Sequence, residues 1–162
     1  MKVMRLLFLS ALILLSTGIN YAADNVTVEN GVVNLPEEIL FVPGSDTMEI
    51  ESSEIIDAIA EFMKKNPDVK ILRIEGYCYT RADENSNLEL SKMRAMSVAK
   101  AVIARGVECR RLLAAGFGSG FPFLKGVRTG DRISAVVASG KFKKPGIMPV
   151  DGGGVVAGDT CR

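Results

Sequence analysis

The chain has 162 residues, enough for one domain of ordinary size, and its 20 lysine and arginine residues nearly balance 19 acidic residues. A net charge of +1 gives no support for nucleic-acid binding or for electrostatic attachment to membranes. The sequence contains no histidine, which excludes histidine-based acid–base catalysis, Ser-His-Asp and Cys-His nucleophiles, and nearly all zinc sites.

The first 23 residues have the layout of a secretory signal peptide. Lys2 and Arg5 precede an apolar run, residues 6–15, and small residues follow up to Ala23. The alternative is a retained membrane anchor, but an apolar run of about 10 residues is shorter than the roughly 20 needed to span a bilayer. We therefore expect cleavage, which leaves 18 basic and 19 acidic residues and a net charge of −1.

The mature chain opens with a predicted hairpin and lead-in, residues 24–36. Within it, residues 26–33 read VTVENGVV, an alternating pattern with the dipeptide Asn-Gly at its centre. That dipeptide is typical of the tight turns that join two antiparallel strands. Residues 37–41, EEILF, then predict a short strand, and residues 42–46, VPGSD, predict a turn.

Residues 52–65 show the period of an amphipathic helix. Apolar side chains recur at i, i+4 and i+7 from Ile55, which places them on one face. Ser52 or Ser53 is the expected cap at the start of this helix. The Asn-Pro pair at residues 66–67 is expected to end it, because proline cannot continue a helix.

The rest of the chain alternates between strands and one further helix, which is expected to end at Gly106 in a left-handed cap. We predict strands at 69–77, 112–118 and 132–139, a helix at 87–105 and a loop at 118–126. This order predicts an α/β (α+β) sandwich in which two helices pack on a small mixed sheet, spanning residues 37–139. Residues 140–162 are rich in glycine and have no period, so we predict a flexible tail.

The second predicted helix carries a polar stripe at its start. At 100° per residue, Asn87, Ser91 and Arg94 fall on one face, and Val98 and Val102 continue the same face. Because the apolar end faces the sheet, the polar end is expected at the rim of the sheet. An arginine there is partly withdrawn from water and needs anionic or carbonyl partners. The stripe therefore predicts a ligand site.

A purely structural interpretation of the same stripe stays open. Asn87 would cap the helix, Ser91 would bond to the backbone, and Arg94 would pair with a loop acid, Asp83 or Glu84. These roles need no ligand. The pattern of one helix face does not decide between them and a binding site.

These residues also resemble the OmpA-like peptidoglycan-binding domain. The ordered pattern comprises Gly76, Asn87, Leu90, Ser91, Arg94 and Ala95. Flanking stretches agree with it: ILFVPGS before the first helix, NPDVKILRIEG before the pattern and RGVECRRLLAAGFGSGFP after it. The resemblance covers roughly residues 37–138. It implies the βαβαββ fold of that family and a non-enzymatic role in the cell envelope.

In that family the site binds the diaminopimelate residue of the cell-wall stem peptide. The resemblance implies that Arg94 meets the ligand carboxylate and that Asn87 shapes the loop. The family's acidic residue ends a G-H-T-D motif, which falls on GYCY here, so Tyr79 stands where the acid is expected. The family's N-R-R-V falls on GDRI, where Arg132 is kept and Gly130 replaces the asparagine.

The end of the diaminopimelate side chain is a zwitterion, so its site needs both a cation and an anion. Arg94 can supply a two-pronged contact to the carboxylate. Tyr79 is neutral at pH 7, and loss of an ionic partner costs about 2–5 kcal/mol. Asp83 is the loop acid that could take its place, and restoring an acid with Tyr79→Asp is expected to tighten binding to sacculi at least about tenfold. The predicted ligand-binding residues are Arg94, Asn87, Ser91, Tyr79, Thr80, Asp83 and Arg132.

Two functions follow from this rebuilt site. The first is a periplasmic protein that holds peptidoglycan non-covalently, associated with the outer membrane, if at all, through partners. The alternative is a degenerate OmpA-like domain that binds other envelope proteins, for example in a secretion or motility machine. We expect no enzymatic activity and no cofactor, because neither paired carboxylates in a plausible site nor a metal-ligand cluster is evident. We expect no nucleic-acid partner, because the charges nearly balance.

The chain has three cysteines, and export permits disulfides. Cys78 and Cys109 are expected at opposite edges of the sheet, because a strand–helix–strand crossover separates them. Disulfides need Cα atoms within about 7 Å, so this pair should not form. Any disulfide is therefore expected to use Cys161, paired with Cys109 or with Cys78. The sequence does not choose between these two.

Overall fold

The computed structural model describes residues 26–80, 83–120, 131–139 and 154–162. The predicted signal peptide lies outside these residues, as do most of the predicted 118–126 loop and residues 140–153. The helices of the described part are α1 (Ser53–Lys65) and α2 (Glu84–Ala104). Its strands are β1 (Thr27–Glu29), β2 (Val32–Asn34), β3 (Ile71–Tyr77), β4 (Leu112–Gly116), β5 (Arg132–Ser139) and β6 (Val155–Val156).

The strands form one mixed sheet in the order β1-β2-β5-β3-β4-β6. Only β3 and β4 are parallel, and the other neighbours are antiparallel. Side chains from both helices share one core with alternate residues of the central strands, namely Leu72, Ile74, Leu112, Ala114, Ala135 and Val137. Two helices packed on a mixed sheet confirm the predicted fold class. No helix in the described ranges is long and apolar enough to cross a membrane.

The N-terminal hairpin is confirmed. Asn30 and Gly31 both have positive φ values, 52° and 82°, as the tight turn between β1 and β2 requires. The strand predicted at 37–41 is wrong, because only Phe41 pairs there, in a single bridge with Met48. The Leu40 N–H donates to the Ser52 hydroxyl, and the Leu40 carbonyl accepts the Ser52 hydroxyl and the Glu49 N–H. The backbone polar groups of Leu40 are therefore satisfied without a neighbouring strand of the sheet.

Helix α1 follows a short 3-10 turn, Ile50–Ser52, and buries the predicted apolar face. Ser52 is the N-cap residue, as predicted, but its side chain makes no capping hydrogen bond. The Ser52 hydroxyl accepts the Leu40 N–H at 2.8 Å and donates to the Leu40 carbonyl at 3.2 Å instead of capping the helix. The predicted end is confirmed, because Asn66 is the C-terminal cap and its side-chain amide donates to the Phe62 carbonyl at 2.8 Å.

Helix α2 begins at Glu84, three residues earlier than predicted. Its N-terminal cap is Asp83, whose carboxylate accepts the Ser86 N–H at 3.1 Å and the Ser86 hydroxyl at 2.7 Å. These hydrogen bonds lower the pKa of Asp83 below its ordinary value. The predicted cap at the other end is confirmed, with Gly106 at a φ of 91°.

The end of the chain adds a strand that the sequence pattern did not predict. The short β6 pairs with β4, and the Ala157 N–H donates to the Ala114 carbonyl at 2.9 Å. A disulfide joins Cys109 to Cys161, which is one of the two pairings left open by the sequence. The Thr160 hydroxyl lies 3.0 Å from the Cys109 carbonyl oxygen. Residues 154–162 are therefore held along the outer edge of β4.

Candidate functional site

The Arg94 guanidinium lies at the rim of the sheet, as the helical stripe predicts, and its side chain is only 3% exposed. Its Nε donates to the Ser45 carbonyl at 2.9 Å, and one Nη1 contact is the Cys78 sulfur at 3.5 Å. The guanidinium carbon stands 4.8 Å from the centre of the Phe41 ring. Arg94 is therefore packed into the domain rather than extended into solvent.

The turn at residues 42–46 brings the Ser45 carbonyl to Arg94. Gly44 has a φ of 71°, a conformation that glycine adopts easily and other residues rarely do. The Ser45 N–H donates to the Val42 carbonyl at 3.0 Å, and the Ser97 hydroxyl donates to the Asp46 carboxylate at 3.0 Å. The second bond attaches the turn to α2, one turn beyond Arg94.

The ionic partner of Arg94 is Asp131, at the start of β5, and not Asp83 or Glu84. One Asp131 oxygen accepts Arg94 Nη1, and the other accepts the Tyr79 N–H at 3.0 Å. The Asp131 side chain is 38% exposed, so its carboxylate lies between the buried guanidinium and solvent. The sequence predictions missed this residue. The signal was present in GDRI, where an acid directly precedes Arg132.

The Asp131 carboxylate changes two sequence predictions. The site already contains an anion, so Tyr79→Asp is no longer expected to tighten ligand binding by supplying a missing one. Arg94 is also less able to make the expected two-pronged contact with a ligand carboxylate, because its Nε is bonded to Ser45 and its Nη1 to Asp131. Asp83 caps α2 and does not supply the missing acid.

Asn87 holds the loop that follows β3. Its side-chain oxygen accepts the Thr80 N–H at 3.2 Å and the Thr80 hydroxyl at 2.5 Å, and Asn87 itself is buried. The structural interpretation in which Asn87 caps the helix is therefore wrong. The loop-shaping role that the resemblance implies is compatible with these bonds.

Ser91 is fully buried where α2 crosses the sheet. Its hydroxyl donates to the Leu88 carbonyl at 2.7 Å and accepts the Gly118 N–H at 3.0 Å. A Cβ atom at Gly76 would overlap the Ser91 carbonyl, so this close helix–sheet contact needs glycine. Ser91 thus bonds to the backbone, as the structural interpretation of the stripe expects.

Tyr79 and Arg132 are both neighbours of Asp131, Tyr79 through its backbone N–H and Arg132 along the chain. Tyr79 is 63% exposed, and Arg132 is the first residue of β5. A groove of about 270 Å³ begins at Asp131 and Arg132 and runs between β5 and residues 32–39. The structure therefore brings together Arg94, Tyr79, Thr80, Asn87 and the unpredicted Asp131. Arg132 is paired with Tyr77 in the register of β3 and β5, so its side chain is directed to the sheet face opposite the helices. The Ser91 hydroxyl and the Asp83 carboxylate are bonded within and next to α2, to Leu88, Gly118 and Ser86.

Cys78 is the one free cysteine of the described chain, and it is buried beneath the site. Burial is the main cause that raises the pKa of its thiol to about 11, and the nearby Arg94 opposes the rise. The thiol is therefore protonated at neutral pH. Because the thiolate is the reactive form, Cys78 acts here as a small buried side chain beside Arg94.

The family model described as the OmpA family matches residues 40–135, more than half of the chain. This range includes Arg94, Asn87 and Asp131.

Among curated proteins, the probable lipoprotein YiaD of Escherichia coli is 29% identical over 94 residues, which is 58% of this chain and 42% of that protein. The match thus spans less than half the length of that relative. Among solved structures, an outer membrane protein from Borrelia burgdorferi is 26% identical, with a TM-score of 0.55 over 69% of this chain and 94% of that one. The peptidoglycan-associated lipoprotein from Burkholderia pseudomallei shares the fold at 22% identity, with a TM-score of 0.52 over 62% of this chain and 89% of that one.

Proposed function

The chain belongs to the OmpA family, and from this membership we propose that it is a non-enzymatic envelope protein that binds peptidoglycan non-covalently. The proposed ligand is the diamino acid of the stem peptide, diaminopimelate where the wall contains it. Similarity to the peptidoglycan-associated lipoprotein from Burkholderia pseudomallei supports the proposal at the level of fold. The predicted signal peptide supports a periplasmic location.

One observation carries the proposal: a cation and an anion lie side by side at the rim of the sheet. Arg94 holds Asp131 in place, and the half-exposed Asp131 carboxylate is an anion that the side-chain ammonium of diaminopimelate can meet. The neighbouring Tyr79 ring is exposed and can cover a bound side chain. Asp131 directly precedes β5, so the anion comes from a different segment than the resemblance to the family implies.

A second candidate function is binding to another envelope protein. Three large apolar side chains are exposed in or near the turn at residues 42–46: Leu40, Val42 and Ile50, the last 85% exposed. The Glu49 N–H donates to the Leu40 carbonyl at 2.9 Å, so the segments before and after the turn run beside each other. Exposed apolar groups of this kind favour protein contacts.

Sedimentation with purified sacculi tests the proposed function. We expect the wild-type protein to sediment, and Arg94→Ala to reduce binding at least about tenfold, because the variant loses the cation and the anchor of Asp131. A soluble stem peptide should compete with the sacculi for the wild-type protein. This competition needs no variant and is independent of any effect on folding.

The matched control is Arg105→Ala, which removes the arginine that caps the C-terminus of α2 and pairs with Asp57 on α1. This variant should sediment like the wild type. Sedimentation of Arg94→Ala at the wild-type level, or no effect of the soluble peptide, would contradict the proposal. Binding to an envelope protein through the exposed apolar side chains would then be the better hypothesis.

A further inference from the structure

We infer that this site recognises the side-chain ammonium group of the stem peptide's diamino acid, does not require its second carboxylate, and uses Asp131 as the specificity-determining residue. The inference rests on the proposed function and specifies which part of the ligand is recognised. A stem peptide whose third residue carries only an ammonium group should therefore bind about as well as one with diaminopimelate.

The donors of Arg94 are the first reason. A guanidinium binds a carboxylate with two prongs through Nε and Nη2, or through Nη1 and Nη2. The Ser45 carbonyl occupies Nε, and Asp131 and Cys78 contact Nη1. Each two-donor edge thus has one donor already in use. A ligand carboxylate is left with a single contact unless it displaces a protein partner.

The exposed charge is the second reason. Arg94 is buried, whereas the Asp131 carboxylate faces solvent, so an approaching ligand meets the negative group first. A ligand carboxylate would lie next to this like charge and be repelled. An ammonium group would be attracted. Each Asp131 oxygen accepts one hydrogen bond from the described residues and keeps a further lone pair for a ligand.

The surroundings of Asp131 are the third reason. The Tyr79 backbone N–H donates to the carboxylate, and the Tyr79 side chain is exposed, so its ring is free to turn over a ligand bound there. An aromatic face favours a cation and gives no comparable advantage to a carboxylate.

Binding of three soluble tripeptides by titration calorimetry tests the inference. The peptides, L-Ala-γ-D-Glu-X, differ only at the third residue: meso-diaminopimelate, L-lysine or L-norleucine. We expect the first two to bind within about threefold of each other, because the second carboxylate adds one contact at most. The norleucine peptide should bind at least about tenfold more weakly, because it lacks the ammonium group.

The outcomes separate the inference from the proposed function. Diaminopimelate binding more than about tenfold tighter than lysine would overturn the inference and leave the proposed function standing. Equal binding of norleucine and lysine would also overturn it. Absence of binding to all three peptides would contradict the proposed function, and the inference with it.

Substitution of Asp131 is tested by the preference between two peptides, a readout that loss of folding alone would not change selectively. Asp131→Asn keeps the size of the side chain, and we expect it to abolish the preference for lysine over norleucine. The double variant Asp131→Asn/Tyr79→Asp should regain that preference, because it returns a carboxylate next to Arg94 from the adjacent loop. Asp159→Asn, a remote acid of the tail paired with Arg162, is the matched control and should keep the wild-type preference. An unchanged preference in Asp131→Asn would overturn the role of Asp131.

Discussion

Arg73→Met should lower the free energy of unfolding by about 3–5 kcal/mol, because it leaves the Glu75 carboxylate buried without its cation. Arg73, Glu75 and Tyr77 are alternate residues of β3 and point to the sheet face opposite the helical core. Arg73 Nε donates to one Glu75 oxygen at 2.6 Å, and the Tyr77 hydroxyl donates to the other at 2.7 Å. All three residues are buried.

Tyr77 cannot replace the lost charge. Burial, followed by the neighbouring Glu75 carboxylate, raises the pKa of the Tyr77 phenol well above its ordinary value, so it remains a neutral donor. Its ring stacks on Phe117 with a centroid distance of 5.1 Å, which holds it in place. Removal of Arg73 therefore leaves Glu75 with one neutral hydrogen bond among the described residues.

Urea unfolding of two further variants identifies the buried charge as the cause. The double variant Arg73→Met/Glu75→Gln removes both charges and should recover at least about half of the loss. Lys64→Met breaks an exposed ion pair with Glu61 and should cost less than about 1 kcal/mol. If the single and double variants of the buried pair are equally unstable, packing rather than charge explains the loss.

Cys161→Ser should lower the free energy of unfolding by about 2–4 kcal/mol. The disulfide joins residues that are 52 positions apart, so it restricts the unfolded chain over a long loop. It also holds β6 on the edge of β4, where only two residues pair. Without the disulfide, the short strand and the Thr160 hydroxyl contacts must hold the end of the chain alone.

Guanidinium unfolding with and without a reductant tests this expectation. Reductant should lower the stability of the wild-type protein to that of Cys161→Ser and should leave the variant unchanged. Cys78 is not part of the disulfide, so its thiol does not contribute to the difference. Equal stability of wild type and variant in the absence of reductant would show that the disulfide does not stabilise the fold.

The local elements of the fold could be predicted from the sequence, because their signals lie within a few residues. The Asn-Gly turn, the periodic face of α1 and the Gly106 cap are examples. The strand predicted at 37–41 does not form, because the Leu40 N–H donates to the Ser52 side chain, 12 residues further along the chain, and not to a neighbouring strand. Strand β6 was missed because two residues next to glycine have no alternating pattern, and their pairing depends on tertiary contacts.

The candidate site also has a part that local sequence signals predict and a part that depends on tertiary contacts. The helical period alone placed Arg94 and Asn87 at the rim of the sheet. Asp131 is 37 residues from Arg94, so no helical or strand period links them. The resemblance predicts an acid at position 79, where this chain has tyrosine, and the anion comes instead from Asp131, directly before β5.

The location of the bound ligand is tested most directly by nuclear magnetic resonance. Isotope-labelled protein is titrated with the diaminopimelate tripeptide, and backbone amide shifts are followed residue by residue. We expect the largest shifts at Tyr79, Thr80 and Asp131, the groups around the Arg94 charge pair. Shifts confined to residues 40–50, or no shifts at a saturating concentration of peptide, would contradict peptidoglycan binding at this site.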